Sequence, residues 1–202
     1  MDSIIGQRAA CAHRPDQLCY RQRILTPNRE SIVKVFGITG SSGSGKTTLL
    51  DQLIPRFVAN GMRVAGIKHT HHGFDPDTPG KDSWRMRQGG CENVVLVGAR
   101  HLTLMRHYPE HAQSPELVDA LAVLPPDTDL VVVEGYKWSD FPKLEIYRPA
   151  HGKGPLWPEV PGVVAVASDA VAEVAGQTAL PVLDLADIES IYAWIRDYLA
   201  SH

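Results

Sequence analysis

The sequence predicts an α/β fold, a mainly parallel sheet with helices packed on both faces and antiparallel strands at the edges. Three observations carry this. Strand-like and helix-like segments alternate along most of the chain. Several strand-like runs, such as "VVVE" and "VVAVA", are continuously apolar rather than alternating, as strands covered on both faces require. A glycine-rich loop ends the first such run and opens the first helix.

Order begins at "SIVKVFGITG", a β-branched run closed by glycine. Next comes "KTTLLDQLIPRFVANG", with apolar residues at helical spacing and Gly61 as a stop signal. Pro55 lies inside that helix and predicts a kink or break, because it removes a backbone donor. "MRVAGIKH" then reads as a parallel strand reached by a helical crossover. Further strands are predicted at "ENVVLVG", "LTLMR", "TDLVVVEG", "KLEIYR", "GVVAVAS" and "LPVLDL". Helices are predicted around "KDSWRMRQGG", "SPELVDALAVL", "DAVAEVAG" and "DIESIYAWIRDYLAS". "HLTLMRHYPE" and "KLEIYRPAHG" mix polar and apolar residues and are read as the antiparallel edges.

The chain has 202 residues, which suits one domain able to bury roughly 70% of its extended surface. Residues 1–31 show no sustained period and are read as a flexible N-terminal extension, leaving 32–202 as the folded domain. Cys11, His13 and Cys19 within it match no common metal spacing. The formal charge of −3 argues against broad attraction to nucleic acid or an acidic membrane, so an anion site must be local. Three cysteines without zinc-pair spacing favour a reducing compartment. With no long apolar run and no apolar signal core, the expected location is cytoplasmic.

"GSSGSGKTT", from Gly40 to Thr48, fits G-x-x-x-x-G-K-[ST] between a strand and a helix. This is a phosphate-binding loop, and it makes the expected fold one of the P-loop NTPase type. Gly40, Gly43 and Gly45 allow backbone conformations that aim successive N–H groups of Ser41, Ser42, Ser44 and their neighbours at phosphates. The helix that follows adds a positive dipole end. Lys46 can reach the β- and γ-phosphates, and the Thr47 hydroxyl, beside Thr48, can ligate Mg2+.

"DLVVVEGYK" is an apolar strand with an acid at each end. Glu134, at its C-terminal end, falls on the edge where open α/β sheets bind ligands and is expected at the metal or the attacking water. Asp129 starts the strand and is expected at the far edge as a turn or cap residue. The loop "KHTHHGFDPDTPGKDSW" leaves the sheet at the ligand edge too. Three readings fit it: a transition-metal site using His69 and His71 with Asp75 or Asp77, a polar turn, or a nucleotide-facing switch. In the last, Lys68, His69 and Lys81 donate to phosphate, and Asp75, Asp77 or Asp82 holds Mg2+ or its waters. Arg85, Arg87 and Arg148 are candidates for an arginine that reaches phosphate or a partner.

"VFGITGSSGSGKTTLLDQLIP", "GMRVAGIKHTHHGFDPDTPGKDSWRMRQGG" and "DLVVVEGYKWSDFPKLEIYR", in this order, resemble the molybdopterin-guanine dinucleotide biosynthesis protein B (MobB) family. The likeness runs from about Val33 to Arg148 and continues more weakly through "VVAVASD" and the last helix. It does not extend to the first 31 residues. The resemblance implies a GTP-binding protein with weak GTPase activity, often a homodimer. Such a protein assists the guanylyltransferase that joins GMP to molybdopterin in molybdenum cofactor biosynthesis.

No N-K-x-D guanine motif is present. Asp169, after the strand "VVAVAS", is either a carboxylate for the guanine N1–H and amino group or part of a helix cap. Without a supplied arginine, P-loop GTPases run roughly 10³- to 10⁵-fold below their stimulated rates, so slow hydrolysis is expected. Two other functions share the motif. One is a P-loop small-molecule kinase, though no arginine-rich lid stands out. The other is a nucleotide-gated adaptor or metallochaperone GTPase, which "HTHH" matches only in part.

Overall fold

The computed structural model describes residues 33–70, 73–108 and 114–202. The predicted N-terminal extension, with Cys11, His13 and Cys19, lies outside the described residues, as do His71 and His72. Eight strands and five helices follow in the order β1 (Lys34–Gly40), α1 (Lys46–Ala59), β2 (Val64–Lys68), α2 (Asp82–Gln88), β3 (Asn93–Val97), β4 (Leu102–Arg106), α3 (Leu117–Leu121), β5 (Leu130–Glu134), β6 (Lys143–Ile146), β7 (Val163–Ser168), α4 (Val171–Ala175), β8 (Val182–Asp184) and α5 (Ile188–Ser201). A single 3-10 turn, Pro149–His151, follows β6.

Six strands make one sheet in the order β2-β5-β1-β6-β7-β8. Every pairing in it is parallel. β5 inserts between β1 and β2, so the strand carrying Glu134 lies directly beside the strand that ends at the phosphate loop. All six strands point their C-terminal ends at one edge, where ligands of open α/β sheets bind.

The alternation of side chains across β1 and β5 divides the core in two. Phe36, Ile38, Leu130 and Val132 pack with Leu49, Leu53 and Phe57 of α1 and with Ile191, Ile195 and Leu199 of α5. Val33, Val35, Val131 and Val133 face the other way, against Leu117 and Leu121 of α3 and Phe141. Each fully buried side chain of this size contributes about 1.5–3 kcal/mol. α5 is capped by Asp187, whose carboxylate accepts from the backbone N–H of Ser190.

Three local expectations are corrected. Helix α1 runs through Pro55 unbroken. Pro55 and Asp51, the residue one turn earlier, are both on the exposed side, so the carbonyl that loses its donor faces water. "KLEIYR" is not an antiparallel edge: β6 is a central parallel strand, and all four of its residues are buried. Its polar members are satisfied from loops. Lys143 donates to the carbonyls of Ser139, Phe141 and Pro161, and the two carboxylate oxygens of Glu145 accept from the N–H groups of Leu156 and Trp157. Burial pushes Glu145 up to about 7 and Lys143 down to about 8. Finally, "ENVVLVG" does not join the main sheet. β3 pairs antiparallel with β4 as a separate two-stranded ribbon. No helix among the described residues is long and apolar enough to cross a membrane.

Candidate functional site

The candidate site is built where β1 turns into α1. Gly40, Gly43 and Gly45 have φ of 140°, 83° and 105°. A Cβ at Gly40 would stand 2.5 Å from the carbonyl oxygen of Ile146 and 2.8 Å from Ser44 Oγ, so glycine is required there by contact as well as by φ. Gly45 precedes α1 in the left-handed region, which rotates the first helical N–H groups toward the loop.

The Lys46 ammonium folds back on this loop, donating to the carbonyls of Gly40 at 3.0 Å and Ser41 at 2.8 Å. Burial lowers its pKa; Glu134 opposes that shift, and Lys68 and Lys153 add to it. Ser44 is fully buried, and its Oγ has no hydrogen-bond partner. Thr47 and Thr48, at the first turn of the 14-residue α1, are exposed. A cradle of rotated backbone, a lysine held by two carbonyls it can exchange and an orphaned buried hydroxyl suit a polyphosphate with its metal.

Arg148 braces the loop from the β6 side. Its Nε donates to the carbonyl of Ser44 at 3.0 Å, and its Nη1 pairs with Asp169 Oδ2 at 2.5 Å. Asp169 is therefore one guanidinium away from the phosphate loop. It does not cap α4; Ser168 Oγ accepts from Ala170 N instead. On the other side, β2 and β5 end in register on Lys68 and Glu134, whose Nζ and Oε2 are 3.5 Å apart. The backbone N–H of His69 donates to the Glu134 carbonyl at 2.8 Å.

The turn after Glu134 is shaped by that approach. A Cβ at Gly135 would stand 2.7 Å from both the carbonyl oxygen and the Cβ of His69, at a φ of 104°. Tyr136 alone among the described non-glycine residues has a positive φ, 45°. A left-handed tyrosine costs on the order of 1–3 kcal/mol. It is held by a tilted ring contact with His69, at 4.2 Å between ring centroids, and by a hydrogen bond from its hydroxyl to the Pro115 carbonyl. Burial raises its pKa, and Asp119, Tyr108 and Glu116 add to that.

The sequence profile described as "Molybdopterin guanine dinucleotide synthesis protein B" matches residues 35–169. The chain belongs to this family. It is similar to the molybdopterin-guanine dinucleotide biosynthesis adapter protein of Haemophilus influenzae, at 41% identity over 170 residues, covering 83% of this chain and 90% of that one. The adapter protein of the same description from Escherichia coli is 32% identical over 171 residues, covering 84% and 95%. Among solved structures, a MobB protein homolog from Bacillus stearothermophilus superposes with a TM-score of 0.62 at 26% identity, covering 83% of this chain and 99% of that one.

In this MobB-family chain the structure brings together Gly40 to Thr48, Lys68, His69 and Glu134, with Asp169 joined through Arg148. Asp75, expected at Mg2+, is engaged by Arg87. Its carboxylate is gripped by Arg87 at 2.8 Å, which draws its pKa below the usual carboxylate range, with the backbone N–H of Asp77 as a second cause. Asp77 accepts from Arg87 Nε at 2.9 Å and from the Ser83 hydroxyl at 2.8 Å. Arg87 is thus the clasp of the 75–87 loop, tying its start to α2, and not an arginine that reaches phosphate. Both acids proposed to complete a histidine metal site are committed to it. Among the described residues no group of three or more His, Cys, Asp or Glu is arranged to hold a metal ion. Asp129 lies at the far edge as expected, gripped by the backbone and side chain of Arg63. Sequence reasoning overlooked Tyr136 and Lys153. A lysine between Gly152 and Gly154, in the loop that leaves β6 at the ligand edge, was the available signal for the second.

Proposed function

We propose that this protein binds GTP with Mg2+ at the loop Gly40–Thr48, hydrolyses it slowly, and serves as an accessory to the guanylyltransferase step that attaches GMP to molybdopterin in molybdenum cofactor biosynthesis. The observation that carries the nucleotide reading is the cradle itself: three left-handed glycines, the exchangeable Lys46 contacts and the orphaned Ser44 hydroxyl. Family membership, and relatives described as biosynthesis adapter proteins, support the pathway. Thr47 and Glu134 would hold Mg2+ or its waters, and the metal supplies charge neutralisation at the phosphates. Lys46 would bind the terminal phosphates. Lys68 and His69 add donors at the same edge. Asp169, one arginine from the loop, is the proposed guanine acceptor. Arg148 is occupied with the Ser44 carbonyl and Asp169, which supports a slow intrinsic rate.

The ribbon β3–β4 supports a homodimer. Val95, Leu96, Val97 and Leu102 are exposed on it, and a two-stranded ribbon leaves both outer edges unpaired. The reading is tested by nucleotide competition, with GTP, GDP and ATP competing for the protein in Mg2+, with and without the guanylyl-transferring partner. Guanine preference and a response to the partner are expected. Lys46→Ala should abolish GTP binding; tight Mg2+-dependent binding by that variant would refute the site.

A further inference from the structure

Glu134 ends a buried strand, and its side chain is only 18% exposed. A carboxylate so far withdrawn from water needs a counter-charge. Lys46 directs its hydrogen bonds to the carbonyls of Gly40 and Ser41, so it acts on Glu134 only through the field of its charge. The direct ion-pair partner is Lys68, whose side chain is 69% exposed and whose ammonium is 3.5 Å from Oε2. The two backbones are locked together by the β2–β5 register and by the His69 N–H bond to the Glu134 carbonyl. The contact between the side chains is loose, an ion pair longer than a good hydrogen bond. A rigid acid at the ligand edge therefore faces a cation on a long, solvent-exposed arm.

We propose that Lys68 is a built-in placeholder for the divalent cation, neutralising Glu134 while no metal is bound and yielding that carboxylate when metal and nucleotide enter. This rests on the phosphate-site reading above. The Lys68 ammonium and the metal compete for one carboxylate, so Lys68 weakens metal binding and keeps the empty site from accumulating uncompensated negative charge. The ammonium, once released, remains at the edge shared with Lys46 and adds to the positive field there.

The test is calorimetric titration of Mg2+ into the full chain saturated with GDP. Lys68→Met is expected to tighten Mg2+ by about two- to fivefold, the strength of an exposed ion pair. Glu134→Gln is expected to weaken it, and the double variant to match Glu134→Gln alone, because Lys68 acts only through that acid. An unchanged or weakened Mg2+ midpoint in Lys68→Met overturns the placeholder. So does tightening that persists in the Glu134→Gln background. Lys46→Ala separates the two layers. If it loses GDP while Lys68→Met leaves Mg2+ unmoved, only the placeholder fails. If it keeps GDP unchanged, the phosphate site fails, and the placeholder with it.

Discussion

β5 and β3 carry nearly the same letters, LVVVE and NVVLV, in environments that could hardly differ more. In β5, Leu130, Val131 and Val133 are wholly inaccessible, with a parallel neighbour on each side. In β3 only Val94 is buried, and the strand has a single antiparallel partner, β4. A β-branched run specifies a strand but not what covers it; position between α1, α3 and α5 decides that for β5. The exposed run in β3 reads as a face awaiting a second surface.

That contrast can be broken from either side. The largest effect is expected in the main sheet. Val131→Asp would bury an unpaired carboxylate among Leu117, Leu121 and Phe141 and should cost more than about 4 kcal/mol, seen as loss of cooperative unfolding by circular dichroism. A near-normal melting curve would contradict the burial assigned to β5.

A smaller effect is expected at β6, where the sheet accepts an acid. Burial holds Glu145 up to about 7, against an ordinary value of 4.5 in the unfolded chain. Between those pH values the folded protein keeps a proton that the unfolded chain releases. Its contribution to stability is therefore complete below pH 4.5 and lost as pH rises through 7. Melting temperature measured from pH 4 to pH 8 should lose this fall in Glu145→Gln; an identical slope in both proteins would remove Glu145 as its source.

The smallest effect on folding is expected at the ribbon tip. Val97 and Leu102 are cross-strand partners and are 77% and 68% exposed. Changing both to lysine should move stability by no more than about 0.5 kcal/mol while converting the proposed dimer to monomer in sedimentation. An unchanged mass would refute the ribbon as the proposed dimer interface.

Much of the fold was readable from the letters. The glycine-rich turn from β1 into α1, the strand ending at Glu134, the helices and the far-edge place of Asp129 all followed from local pattern. β6 did not. Lys143 and Glu145 alternate with Leu144 and Ile146, which looks like a half-exposed edge. Both polar groups are in fact satisfied by backbone from the loops around 139–141 and 156–161, a non-local arrangement no local pattern encodes. The 75–87 loop misled for the same reason. Asp75 looked free for metal until Arg87, twelve positions on, was found to hold it. Tyr136 was overlooked because its left-handed backbone is packed against a ring from His69, just past the end of β2 and far away in sequence.

The strand order also fixes an order in time. Within the main sheet β1 has β5 and β6 for neighbours, and β2 has only β5. Lys34 must wait for Leu130, and Val64 for the same residue, before either strand has a partner. As the chain leaves the ribosome, its first two sheet strands, together with the phosphate loop between them, remain unpaired until nearly two thirds of the protein exists. Such long-range parallel pairing is slow and leaves apolar edges open. Biosynthesis, more than the finished molecule, is where this architecture is most exposed to aggregation.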